Sequence, residues 1–483
     1  MSQPNIVLFM CDQFRGDCLS IEDHPDVKTP FLDSIGNQGV VFENAYSATP
    51  SCIPARAALL TGRSQTGHGR VGYQDNVDWD YTHYMAEEFS NANYQTQCIG
   101  KMHVHPPRLS CGFQNLKLHD GYLACYRNNN APYWMHQSVH DDYLFDLQNQ
   151  TNRFSDVTSS GPECNSWITH PWIYEERLHP TNWVADQSIR FIQTRDRTKP
   201  FFLMSSFVRP HQPLDPPQTY YDMYKNKELR KPAQGDWDEN ENTKRHKFQY
   251  DSIYGTDDAS LQHDAMAGYY GSITHVDHQI GRVLLSLQED GILEDTIICF
   301  VSDHGEMLFD HGLWRKVFPY QGSIHIPFLI RIGKNVTTTQ IGRLQNVVEL
   351  RDIMPTLLDL CNLDIPDTVD GISLKPLLEG KDAKTREYLH GEHSFHSDFS
   401  NHYIVTENYK YIWYSQTGKE QFFDLKNDPM ETHDAINDSS YQSIIDQLRK
   451  TLIQELKDRP EGYSDGTQLI VGQEAVNMIP HRK

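Results

Sequence analysis

The sequence predicts an α/β protein. A large, mostly parallel β-sheet is sandwiched by helices, and a smaller C-terminal α+β domain carries an antiparallel sheet. Three observations predict it. Short, nearly continuous apolar runs recur between residues 6 and 331, separated by helical patterns, as expected of strands covered on both faces. Polar residues with catalytic potential follow these runs directly, and in open α/β sheets ligands sit beyond the carboxyl ends of the strands. Asp-Gly and Glu-Gly turns near 365 to 385 then mark a change of pattern, dividing the chain into 1–375 and 376–483.

The elements follow in order. Ile6 to Met10 is the first apolar run. Ser51 and Pro54 suit a helix start, and Arg56-Ala57-Ala58-Leu59-Leu60 is a good helical run closed by Gly62. This places Cys52 at a helix N-terminus, where backbone N–H groups and the dipole favour an anionic ester. Gly67 to Gly72 fits G-x-G-x-x-G but follows a helix instead of a strand, so it reads as a loop near the active site, with Asn76 close by. Thr96 to Gly100 is a weaker strand, Phe201 to Phe207 a strong one, then Thr296 to Ser302 and Pro327 to Arg331. Stretches 105–190 and 209–262 lack periodicity and read as long functional insertions. Beyond the boundary, Tyr403–Val405, Lys410–Tyr414 and Gln421–Leu425 look like strands, and Tyr441 to Lys457 has amphipathic helical spacing.

Bulk properties narrow the function classes. The 483 residues, 38% hydrophobic and 11% aromatic, describe a globular chain with room for more than one domain. A formal net charge of -22 argues against nucleic-acid or anionic-membrane partners. It leaves a locally cationic pocket open. No stretch approaches the roughly 20 apolar residues that span a bilayer. Met1-Ser2-Gln3-Pro4 leads straight into the first strand, with no basic segment or small-residue cleavage site. Nine irregularly spaced cysteines form neither a disulfide framework nor a C-x-x-C pair. Together these predict a cytoplasmic protein.

The residues that carry chemistry lie in short phrases. Asp12-Gln13 follows the first strand, and Asp303-His304-Gly305-Glu306 follows the fourth. Carboxylates at one edge of one sheet are candidate ligands for a hard cation. Gly100-Lys101-Met102-His103 and Arg209-Pro210-His211-Gln212-Pro213 follow the second and third strands, and Asp310-His311-Gly312 leads to Lys316. Cys52-Ile53-Pro54-Ala55-Arg56 precedes Leu60-Thr61-Gly62-Arg63. In this order, C-x-P-x-R with L-x-T-G-R, G-K-x-H, P-H-x-P and the late Asp-His pair resemble the type I, formylglycine-dependent sulfatases of the alkaline phosphatase-like superfamily. Asp352 to Leu358, Asp370 to Leu374 and Phe423 to Pro429 extend the likeness over most of the chain.

The resemblance implies a mechanism. Cys52 is oxidised to formylglycine by a formylglycine-generating or radical maturase. The hydrated aldehyde is the nucleophile, with a second hydroxyl in reserve. Asp12, Gln13, Asp303 and His304 hold Ca2+, with Mg2+ or Mn2+ as alternatives. Arg56, Lys101 and Lys316 neutralise the sulfate, and His211 or Lys316 assists the leaving alcohol. His103 takes the proton whose removal expels sulfate. His311 reads equally as structural. Gln13 stands where many members have Asp, a variant similar to phosphonate monoester hydrolases, so a phosphonate or phosphodiester hydrolase is the runner-up. A silent protein that binds sulfated sugars is a third reading. Aryl, carbohydrate and small alkyl sulfates all suit the pattern, and the oligomeric state is not legible. Trp134, His136, Trp167, His170 and Trp172 read as sugar-stacking or, more simply, as packing within the insertion.

Overall fold

The computed structural model describes residues 3–120, 141–152, 154–239, 244, 246, 249–337, 340–381, 383, 385–395 and 397–481. Its centre is an eight-stranded sheet of β1 (Asn5–Asp12), β2 (Val40–Tyr46), β3 (Gln95–Gly100), β4 (Asn115–Leu118), β5 (Phe201–Pro210), β6 (Thr296–Ser302), β7 (Phe328–Ile332) and β8 (Gly342–Glu349). The spatial order is β4-β3-β5-β1-β6-β7-β2-β8. β1 lies between β5 and β6, parallel to both. Only β7 runs against its neighbours. The expected mostly parallel sheet is present.

β1 explains why its sequence is apolar throughout. Ile6, Leu8 and Met10 enter one core, whereas Val7, Phe9 and Cys11 enter the core on the opposite face. Successive side chains alternate faces, and both faces are covered, so neither set is polar. Helices that cover the two faces include α1 (Pro30–Asn37), α2 (Cys52–Thr61), α3 (Pro180–Thr194), α4 (Ala259–Glu289) and α5 (Ile353–Leu360). α2 and α5 supply one core; α1, α3 and α4 supply the other.

A second, antiparallel sheet follows, of β9 (Leu389–His393), β10 (Asn401–Val405), β11 (Tyr409–Tyr414) and β12 (Glu420–Asp424), in the order β12-β11-β10-β9. Ile404, Tyr411, Trp413 and Phe422 pack against α6 (Gln442–Glu455). The other face, with Tyr403, Val405, Ile412 and Phe423, packs on Tyr46 at the end of β2 and on Met307, Phe318 and Tyr320 of the large sheet's loops. β9 and β10 also clasp the segment before α2: the Glu392 amide donates to the Ala48 carbonyl at 2.8 Å, and the Tyr403 hydroxyl to that of Ser47 at 2.9 Å.

Trp167 and Trp172 are buried packing residues, the first against Trp314 and the second against Tyr174 and His179. His170 is exposed and bonded to the adjoining Pro171 carbonyl. Trp134 and His136 lie outside the described residues.

Candidate active site

The carboxyl ends of β1, β3, β5 and β6 converge on the start of α2. β1 delivers Asp12 and β6 delivers Asp303 and His304. Cys52 is the first residue of α2, with Ser51 extended before it and Gly62 closing the helix at φ 66. The Cys52 thiol is 2% exposed and lies 3.6 Å from Asp12 Oδ1, 3.3 Å from His304 Nε2 and 3.9 Å from Lys101 Nζ. One turn on, Arg56 donates Nε to Asp303 Oδ2 at 3.0 Å and Nη1 to the Lys101 carbonyl at 2.7 Å. Lys101 Nζ pairs with Asp12 Oδ2. Lys316 Nζ donates to Gln13 Oε1 at 2.7 Å and meets His211 Nε2 at 2.8 Å. Residues from six separate segments thus meet around one thiol.

Comparison with known proteins matches this arrangement. The sulfatase family model covers residues 4–363, and a model for the C-terminal part of N-sulphoglucosamine sulphohydrolase covers 309–458. An arylsulfatase of Clostridium perfringens is 51% identical over 480 residues, 99% of each chain. The chain belongs to the sulfatase family. It is a sulfuric ester hydrolase. A multifunctional alkaline phosphatase superfamily protein of Trinickia caryophylli is 28% identical over 94% of this chain and 95% of its own. The phosphonate monoester hydrolase of Agrobacterium radiobacter superposes with a TM-score of 0.76 at 25% identity, covering 94% of this chain and 95% of that one.

In this sulfatase the donor set fits a divalent cation. Asp12, Cys52, Asp303 and His304 each offer one ligand atom, all within 4.8 Å of one another. Carboxylate oxygens suit a hard cation. Burial holds His304 below its ordinary pKa, so the ring is neutral, as a ligand must be. Its Nδ1 faces the Gly305 carbonyl at 2.9 Å, which turns the Nε2 lone pair toward Asp12 and Cys52. Gln13, expected among the ligands, stands at the edge of this group. Its Oε1 accepts from Lys316, while its Nε2 donates to Gln212 Oε1 at 2.9 Å and to Glu306.

The field at the site is set by opposed burial and charge. Burial alone would protonate Asp12; Lys101 foremost, with Lys316 further off, holds it well below the carboxylate range. Burial and the facing Lys316 keep His211 neutral. Burial opposes charge on His103, but the facing Asp75, then Cys52, outweigh it and raise its pKa.

Several neighbours escaped the sequence reading. Asp75 sits 3.5 Å from His103 Nε2 and accepts the Tyr73 hydroxyl at 2.8 Å. Glu306 ties Gln13, Gln212 and the backbone of residues 308 and 315 together. His393, the last residue of β9, hydrogen-bonds Ser51 Oγ at 3.0 Å. Asp75 follows the glycine-rich loop already placed near the site, and Glu306 stood inside a recognised phrase. Nothing local marked His393. His311 is structural: it stacks on Trp237 at 4.4 Å and bonds Asp238 and the Met430 carbonyl.

Proposed function

We propose that this sulfatase hydrolyses aryl sulfate monoesters through a formylglycine made from Cys52 by a maturase of the formylglycine-generating or radical type. The observation that carries this reading is the placement of the Cys52 side chain, at a helix N-terminus and between Asp12, His304 and Lys101. The 51% identity to an arylsulfatase supports the aryl class. Asp12, Asp303 and His304, with Gln13 at their edge, would hold Ca2+ or another divalent cation. When bound, such an ion polarises a sulfate oxygen and favours the ionised nucleophile.

The chain's own residues do the rest. Arg56, Lys101 and Lys316 offset the negative charge of the sulfate as it develops. One hydroxyl of hydrated residue 52 attacks sulfur and forms a new O–S bond, while the bond from sulfur to the alcohol oxygen breaks. His211 and Lys316, hydrogen-bonded to one another, deliver a proton to that oxygen. His103 then removes the proton of the second hydroxyl. The aldehyde C=O re-forms and sulfate leaves with the electron pair of the C–O bond. A serine at this position has no second hydroxyl and would remain sulfated.

Peptide mass spectrometry of the segment containing Cys52, from matured protein, tests the reading. A loss of about 18 Da with aldehyde reactivity is expected. Active protein with an intact thiol would overturn it. Phosphonate monoester hydrolysis is the second reading, favoured by the Asp12-Gln13 pair and by the structural likeness to the Agrobacterium enzyme. Parallel assays of aryl sulfate and phenyl phosphonate separate the two.

A further inference from the structure

In a chain with 65 acidic residues, many buried guanidinium groups find carboxylates, although Arg70 bonds Tyr81 and two backbone carbonyls instead. Arg56 pairs with Asp303, Arg209 with Asp215 and Arg459 with Glu392. Arg315 differs. Among the described residues no carboxylate lies within ion-pair range of its side chain. The one hydrogen bond of its guanidinium goes to the Asp251 carbonyl, at 3.2 Å.

The position of Arg315 is nevertheless tightly set. Its backbone N–H donates to Glu306, the same carboxylate that steadies Gln13. The preceding Trp314 is fully buried and donates its indole N–H to the Asn165 carbonyl at 2.9 Å. The following Lys316 reaches into the sulfate cradle. Arg315 itself has φ 73, a left-handed conformation that non-glycine residues adopt at a cost and that concentrates at functional sites. Burial lowers its pKa; Glu306 is the foremost charge that reaches it, followed by Cys164, Asp251 and Cys52, and none of the carboxylates is close enough to pair with it. Arg315 adjoins Lys316 in the chain and is half-buried, so it flanks the sulfate cradle and remains in reach of solvent.

We propose that Arg315 is a specificity residue that receives a second anionic group, a carboxylate or a further sulfate, on the alcohol portion of the substrate. The preferred substrates are then sulfate esters with at least two negative charges. A guanidinium with no ion-paired carboxylate offers a two-pronged donor face, which suits planar oxyanions. The inference rests on the sulfatase reading above and adds the acidic character of the leaving group to it.

The test compares three probes on matured, metal-loaded enzyme: 4-nitrophenyl sulfate, 4-sulfooxybenzoate and 1,4-phenylene bis(sulfate). Arg315→Met keeps the length and removes the charge, and Arg315→Lys keeps the charge without the fork. With Arg315→Met, kcat/KM for one or both dianionic probes should fall about 10- to 100-fold, mainly through KM. The fall for 4-nitrophenyl sulfate should be less than about threefold. Arg315→Lys should recover part of the loss. The dianionic probe that loses more identifies the natural group as carboxylate or sulfate. An equal fall on all three probes, or no selective fall on either dianion, would overturn the proposal. Failure of the wild-type enzyme on every sulfate would instead overturn the reading beneath it.

Discussion

Lys101 and Asp12 show how much of this site is decided between single side chains. Each is buried, each would be neutral alone, and together both stay charged. Such pairs are fragile to truncation, because removing one member strands the other. Cys52→Ser should abolish multiple turnover while leaving thermal unfolding within about 1 kcal/mol, since the swap is small and local; sustained turnover of an aryl sulfate by that variant would remove the need for the diol. His103 gives a pH prediction. As the proposed base it would act only when neutral, so its raised pKa should set the acid limb of kcat. Asp75→Asn removes the neighbouring anion and should move that limb to lower pH, with reduced kcat. An unmoved limb would dissociate Asp75 from the proton transfer. At this scale the sequence was most legible. Cys52, Arg56, Lys101 and His103 sit in short phrases whose spacing survives in one dimension. His393 was invisible because its partner Ser51 is 342 positions away.

At the scale of elements, the loops matter as much as the strands they follow. Gly100 ends β3 at φ 97, and a Cβ there would collide with the Ser206 carbonyl on β5. Gly100→Ala should force β3 from β5, costing about 2–4 kcal/mol and displacing Lys101. Urea unfolding and kcat measured together check it, and unchanged values of both would refute the steric argument. The strands on either side of the sheet's centre were legible because burial on both faces makes them continuously apolar. β8 was not, because residues 342–346 alternate between half-buried and exposed and look like a loop. The reversal of β7 was also illegible: composition reports burial, and direction is fixed by connections that composition does not record. α4 is 31 residues long and escaped notice because it is buried around much of its circumference, which blurs the amphipathic period.

Across the whole molecule, the two sheets meet through apolar contact, and buried charge reinforces the C-terminal one. Arg459 grips both oxygens of Glu392 at 2.6 and 2.8 Å. Glu392 lies in a buried cluster with His390 and His402, and Arg459 supplies its counter-charge. Burial would raise the Glu392 pKa, but Arg459 holds it down to about 2, against an ordinary 4.5. A depressed carboxylate stabilises the fold above its ordinary pKa and loses that contribution as pH falls toward its folded value. The difference is about 3 kcal/mol, lost below about pH 4.5. Arg459→Met should cost about 3–5 kcal/mol at neutral pH and flatten the acid dependence of unfolding. Equal acid sensitivity in both proteins would assign the acid loss elsewhere. The sequence announced the antiparallel sheet but not this bond, since Glu392 lies in β9 and Arg459 follows α6.

The clasp of β9 and β10 over residues 47–51 has a temporal meaning. Those strands leave the ribosome more than three hundred residues after Cys52. Until they emerge, the start of α2 lacks the hydrogen bonds from Glu392, Tyr403 and His393. Once they dock, the thiol is shut away from any other protein. The oxidation of Cys52 proposed above therefore has a deadline: it belongs to the growing chain, and a molecule that finishes folding with its thiol intact has missed its only appointment with the maturase.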